Sequence, residues 1–294
     1  MIVARDDVEY MLYQYSPNRV PAIIFLVLFG ITTTMHVFRL IRKRTWYFVP
    51  FALAETIGYI GRIISAGETY GEWTTGPYIM QGVLLVIAPA FYAASIYMIL
   101  GRIIVLVDGE AQSPIRAKWL TKIFVGGDVL SLVAQSAGGG ILGESSKQSD
   151  VDLGEHIITA GLAIQILFLG LFILVSGIFH WRLKRVPSLR SKKLSLPWES
   201  YLLVLYVASG LIFVRSIFRI VEYVAGSDGV LLKHEYFLYV FDATLMFVVM
   251  ILFLVWHPSK IVNKGSLSHA RLRDTESEES AHEMTREALP VNPK

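Results

Sequence analysis

Three stretches of this chain repeat one pattern of ionisable and phenolic side chains: Glu55, Tyr59 and Arg62; Arg215, Arg219 and Glu222; Glu235, Tyr239 and Asp242. Each set is spaced i, i+4, i+7, which at about 100° per residue holds three side chains on one narrow helical stripe. Each stripe lies in an apolar run. A charge at mid-bilayer costs roughly 2.5–3.5 kcal/mol on insertion scales, so such groups pair with one another or face a wet cavity. Two kinds of chemistry follow. The stripes can lock helices together as buried ion pairs, or they can line a polar pocket for a lipid headgroup. In the pocket reading Arg62, Arg215 and Asp242 form the core, with Glu55, Arg219 and Glu222 around it. Two arginines beside one aspartate leave positive charge for a phosphate, carboxylate or zwitterionic headgroup. The acids would suit an ammonium group.

The elements that must position these residues are apolar runs of about 20 residues, enough to cross a ~30 Å hydrocarbon core. Seven are expected, near Val20–Ile41, Trp46–Ala66, Pro77–Val107, Trp119–Leu142, His156–Trp181, Glu199–Val224 and Glu235–His257. Composition agrees. The chain is 54% hydrophobic and 17% charged, against about 45–50% and about 25% for soluble domains. Lys and Arg set the orientation. The first connection carries Arg39, Arg42, Lys43 and Arg44, the third Arg102, Arg116, Lys118 and Lys122, and the fifth Arg182, Lys184, Arg185, Arg190, Lys192 and Lys193. The intervening connections are acidic, with Glu68, Glu72, Glu144, Asp150, Asp152, Glu155 and Asp228. The expectation is an all-α polytopic membrane protein with seven transmembrane helices, its N-terminus outside and its C-terminus cytoplasmic. Residues 1–19 are then an extracellular segment, 20–257 the transmembrane domain, and the polar stretch 258–294 a disordered cytoplasmic tail. Tryptophan prefers the headgroup level, and all six fall at or near span ends.

Depth narrows the polar set. At 1.5 Å per residue, Arg62 and Arg215 each stand roughly 24 Å from the inner ends of their helices, and Asp242 roughly 10 Å below the outer surface. Gln81 and Gln165 enter at outer-half depths, so both join the expected site with Tyr59 and Tyr239. Asp128 is in the inner half, with Gln135 two turns on. A coupling proton could use Glu55 or Asp128. Pro89 frees a backbone carbonyl inside the third helix, with or without a function beyond a kink. Gly138, Gly139 and Gly140 are expected to end the fourth helix and allow a tight exit or close packing.

Several function classes are excluded or disfavoured. With no cysteine, thiol catalysis, Cys-ligated zinc and iron–sulfur clusters are ruled out. No Gly-x-x-x-x-Gly-Lys-Ser/Thr encodes an ATP-driven pump, and the seventh span has no lysine for a retinal Schiff base. The histidines show neither His-x-x-x-His nor His-Glu-x-x-His spacing. Neither an enzyme, a metal site nor a resident cofactor is expected, although edge histidines keep bis-histidine haem ligation open. A net charge of +3 implies no nucleic-acid partner.

At these residues the sequence resembles a fungal group, the RTA-like or aminocholesterol-resistance-type family of seven-span proteins, also called lipid-translocating exporters. The matching stretches are Glu55-Thr-Ile-Gly-Tyr-Ile-Gly-Arg62, Tyr78 to Tyr97 with Gln81, Ala88-Pro89 and Ala93-Ala94, and Gly126-Gly-Asp-Val129 with Gln135 and Gly138–Gly140. Arg215-Ser-Ile-Phe-Arg-Ile-Val-Glu222 and His234-Glu235 with Tyr239 and Asp242 complete them. The resemblance covers roughly residues 20–257. It implies a membrane protein linked to sphingoid-base release or translocation, drug and sterol-analogue resistance, phospholipid asymmetry or porphyrin uptake. The resulting expectation is a translocator or exporter of membrane lipids and amphiphilic small molecules. The plasma membrane is the expected compartment and an internal membrane the alternative. A receptor-like sensor of lipid composition and a haem or porphyrin carrier are the competing readings.

Overall fold

In the computed structural model the described residues are 17–43, 49–69, 73–144, 148–193, 197–225 and 235–256. They form α1 (Arg19–Lys43), α2 (Val49–Ser65), α3 (Thr75–Leu106), α4 (Ala117–Glu144), α5 (Gln148–Arg185), α6 (Trp198–Val224) and α7 (Glu235–Val255), with one helical turn at Leu189–Lys193. No strand occurs among the described residues. Five of these helices are long and apolar enough to cross a membrane: α1, α3, α5, α6 and α7. The described part of α2 is 17 residues long, and α4 is diluted by Asp128, Gln135 and its glycines. Most of the expected extracellular segment and tail, with His234 and His257, lies outside the described residues.

Neighbours in sequence are neighbours in space. Each of α1 to α5 packs on the next, α5 packs on α6, α6 on α7, and α7 returns to α1. Within this ring α3 also touches α5 and α6. Its central place explains why it is buried over most of its length from Leu85 to Leu106. The outward faces carry Ile23, Val27, Ile31 and Phe38 on α1 and Val129, Val133, Leu167 and Leu174 on α4 and α5. In water so much exposed apolar surface would drive association; against lipid tails it carries no such penalty.

Because lipid is as apolar as leucine, close contact and hydrogen bonding must hold the helices together. The α4–α5 seam shows how. A Cβ at Gly138 would stand 2.7 Å from the Gly154 carbonyl, and one at Gly127 would stand 2.3 Å from the Phe168 ring. Glycine is therefore required for that approach. The expectation that Gly138–Gly140 end the helix is not met, since α4 continues to Glu144. Gly138 serves the packing instead.

The α3–α4 connection is built as firmly. Asp108 takes a left-handed conformation (φ 50°), and the Asp108 and Gly109 N–H groups donate back to Val105 and Ile104. This closes α3 with the reversed turn that usually carries glycine. The Ser188 hydroxyl then donates to the Val107 carbonyl, which ties the ends of α3 and α5 to one side of the bundle.

Candidate functional site

The polar centre is built where α3, α6 and α7 meet. Arg215 of α6 is 2% exposed. Its Nε donates to Asp242 Oδ1 and its Nη2 to the Leu85 carbonyl, 2.7 Å away. That carbonyl is available because Pro89, four residues on, has no N–H to return to it. The carbonyl predicted to be free thus has an identified partner, a guanidinium from another helix. Asp242 lies within a π-helical turn, Tyr239–Thr244, where the Thr244 hydroxyl donates to the Tyr239 carbonyl at 2.8 Å. π turns are rare and concentrate at functional sites. Two irregularities, one in α3 and one in α7, therefore converge on a single arginine.

Arg62 of α2 is fully buried and belongs to a second knot. Its Nη2 donates to Glu235 Oε1 at 2.5 Å, its Nε donates to the Tyr239 hydroxyl at 2.9 Å, and that hydroxyl donates to Glu235 Oε1 at 3.2 Å. The backbone N–H of Asn18 donates to both Glu235 oxygens, at 3.1 and 3.0 Å, and Arg19 Nε donates to the Ala66 carbonyl at 2.9 Å. The residues leading into α1 thus close over this end of the site. Two arginines sharing one aspartate were expected. Instead Arg62 takes Glu235 and Arg215 takes Asp242, so the anticipated surplus of positive charge is absent from this pairing.

Any surplus is acidic. Glu55 of α2 is 1% exposed and lies in the electrostatic reach of both Asp242 and Arg215. Glu55 Oε1, the Tyr59 hydroxyl and Asp242 Oδ2 are buried without a hydrogen-bond partner among the described residues. Aromatic rings of α1 wall this group: Phe25 lies 5.9 Å and Phe29 5.3 Å from Tyr59, and Phe25 lies 5.4 Å from Tyr239. Apolar walls around a few convergent polar atoms are the usual composition of a small-molecule site.

The remaining expected residues divide. Arg219 pairs with Glu222 on its own helix at 2.7 Å and lies over the Tyr223 ring; Asp242 acts on it electrostatically, so it borders the centre. Gln81 is buried on α3 one turn before Leu85, against Gly61 of α2. Gln165 does not join them. Gln135 donates to it at 3.3 Å and to the Ser131 hydroxyl at 2.6 Å, while Ser131 donates to the Gly161 carbonyl at 2.7 Å. Gln165 is thus part of the α4–α5 seam, because depth in the membrane fixes a level and not a facing direction. Asp128 is buried on α4 beside Tyr97 of α3. No group of metal-binding residues occurs among the described residues. Three partners were not anticipated: Asn18, the Leu85 carbonyl and Ser131. Only the second had a signal in the sequence, the proline four residues on.

The profile described as RTA1 like protein matches residues 48–265. Protoporphyrin uptake protein 1 of Saccharomyces cerevisiae is 37% identical over 86% of this chain and 94% of its own length. Sphingoid long-chain base transporter RSB1 of the same species is 28% identical over 82% and 72%. Probable lipid transporter atnI of Emericella nidulans is 29% identical over 85% and 68%. No solved structure matches the chain.

Proposed function

This chain belongs to the RTA1-like protein family, and from that premise we propose that it is a translocator of amphiphilic lipids, sphingoid bases foremost. It passes seven times through the membrane, with its N-terminus outside and residues 258–294 in the cytoplasm, and the plasma membrane is its site. The observation that carries this reading is the buried polar centre of Arg215, Asp242, Glu55 and Tyr59, three of whose polar atoms lack partners among the described residues. A scaffold of ion pairs alone would consume its acceptors. This centre keeps some in reserve, and a headgroup crossing between leaflets needs such groups in place of water. An ammonium would meet Glu55 and Asp242, and a phosphate would meet Arg215. Arg62 with Glu235, and Arg219 with Glu222, bound the path.

Reconstitution into liposomes with fluorescent lipids of differing headgroup tests the proposal. Accelerated movement between leaflets that depends on headgroup supports it. A lipid-composition sensor would move nothing, yet its deletion would still alter lipid asymmetry in cells. One second reading has specific support, because a relative at 37% identity is named for protoporphyrin uptake. A porphyrin ligand would give purified protein a Soret band after incubation with porphyrin, whereas a sphingoid-base carrier would show none.

A further inference from the structure

We propose that Asp128 and Tyr97 form a proton-exchange site, and that amphiphile movement by this chain is coupled to the passage of a proton. The coupling rests on the translocator reading; the proton site does not.

Asp128 is 3% exposed. The three ion pairs described give a guanidinium to Glu235, Asp242 and Glu222, and none reaches Asp128. Both of its carboxyl oxygens and the Tyr97 hydroxyl are buried without a close, well-aligned hydrogen bond among the described residues, and the Tyr97 hydroxyl is the polar group with which Asp128 interacts. The surroundings are aromatic. The Tyr97 ring lies 4.5 Å from Phe172 of α5 and 5.5 Å from Phe124, one turn before Asp128 on α4. Tyr97, from α3, is the titratable group that meets Asp128; α5 presents Phe172 and Phe168, and no ion pair reaches Asp128 among the described residues.

Glu235, Asp242 and Glu222 are each paired with a guanidinium, and Glu55 lies within electrostatic reach of Arg215, whereas Asp128 has no ion pair among the described residues. A carboxyl left alone among rings is suited to gaining and losing a proton. Its neighbour serves both forms, because a phenol is donor and acceptor at once. When Asp128 carries the proton, its O–H donates to the Tyr97 oxygen. When the proton leaves for water, the Tyr97 O–H turns to donate to the carboxylate. Ser131 and Gln135 continue the stripe at i+3 and i+7, and their hydrogen bonds run on to Gly161 and Gln165.

The two polar centres share one helix. Measured from the side where α3 and α5 are tied, Asp128 is roughly 16 Å along α4 and Arg215 roughly 26 Å along α6 at 1.5 Å per residue. Helix α3 supplies the Leu85 carbonyl to Arg215 and Tyr97 to Asp128, with Pro89 between them. Helix α3 is the route we assign between the two centres, and the gradient experiment below tests it. The transmembrane proton gradient supplies the drive: one proton enters from water on one face and leaves to water on the other.

The full chain in nanodiscs, examined by infrared difference spectroscopy across pH, tests the site. The expected result is a titrating carboxylic-acid C=O band that is lost in Asp128→Asn and shifted in Tyr97→Phe. Proteoliposomes carrying a trapped pH dye and a fluorescent sphingoid base test the coupling: an imposed gradient should change the wild-type rate several-fold and leave Asp128→Asn unresponsive. Absence of the band from folded wild-type protein overturns the proton site. An Asp128→Asn variant that responds to the gradient as wild type does overturns the coupling. Should wild type move no amphiphile, the translocator reading and the coupling fall while the infrared result still decides the proton site.

Discussion

The Arg215 guanidinium donates to the Leu85 carbonyl at 2.7 Å, and Pro89 is the reason that carbonyl has no helical N–H of its own. A helix-breaking residue in α3 and a buried charge in α6 are therefore two halves of one interaction. The other face of the same guanidinium holds Asp242 in the π turn of α7. Three helices are joined through one side chain, so perturbing any of the three contacts should be felt at the other two.

Replacing Pro89 with alanine returns an N–H to the Leu85 carbonyl and makes it compete with Arg215. The substitution should leave folding intact or raise thermal stability, because a proline inside a helix costs about 3 kcal/mol. Translocation should fall. Thermal unfolding in detergent, read beside the flip rate of the same preparation, checks both halves. Parallel losses of stability and activity would count against the proposed role of this carbonyl.

Removing one member of a buried ion pair strands the other. Arg215→Ala and Asp242→Asn should each lower stability, the former by about 3–5 kcal/mol, while the double variant should lose less than the sum of the two. A double-mutant cycle by denaturant unfolding measures that difference. Strict additivity would mean that the pair is not energetically coupled.

Glu55 is buried next to Asp242 and Arg215 with one oxygen unpartnered. Glu55→Gln preserves the shape and removes the charge. The variant should fold, lose most of its preference for cationic over zwitterionic headgroups, and retain part of its rate. A headgroup panel in liposomes reads the selectivity directly. Unchanged selectivity would remove Glu55 from the headgroup path.

Gly138 stands where a Cβ would come within 2.7 Å of the Gly154 carbonyl. Gly138→Val should force α4 from α5 and destabilise by about 1–3 kcal/mol, the range for overpacking a tight contact. Gly139→Ala, at a position with nothing within 4 Å, is the matched control and should cost a few tenths at most. Unfolding of the two variants side by side makes the comparison.

Much of the layout was legible because it rests on periodicity. Lengths of apolar run gave the helices, and the i, i+4, i+7 spacing marked the polar faces of α2, α6 and α7. Choice of partner was not legible. Glu235 and Asp242 are separated by roughly 10 Å along a helix, so whether Arg62 meets one or the other depends on tilt and axial offset, which no local pattern encodes. Asp242 also lies in a π turn, Tyr239–Thr244, that carries no compositional mark. Gln165 lies on the face toward Gln135 instead of the polar centre, because a level along the helix does not fix a facing direction. Pro89 is the instructive exception, a local signal whose consequence lies on another helix.

Arg215 is the side chain that holds the polar centre together, fixing Asp242 for an ammonium headgroup while bound to the Leu85 carbonyl. The most direct test of that role is the rate at which a fluorescent sphingoid base crosses liposomes containing wild-type protein, Arg215→Lys or Arg215→Ala. Wild type should exceed empty liposomes many-fold, Arg215→Lys should keep a fraction of that rate because a point charge cannot serve Asp242 and Leu85 together, and Arg215→Ala should fall to background. Folded Arg215→Ala protein that moves the base as fast as wild type would contradict the account.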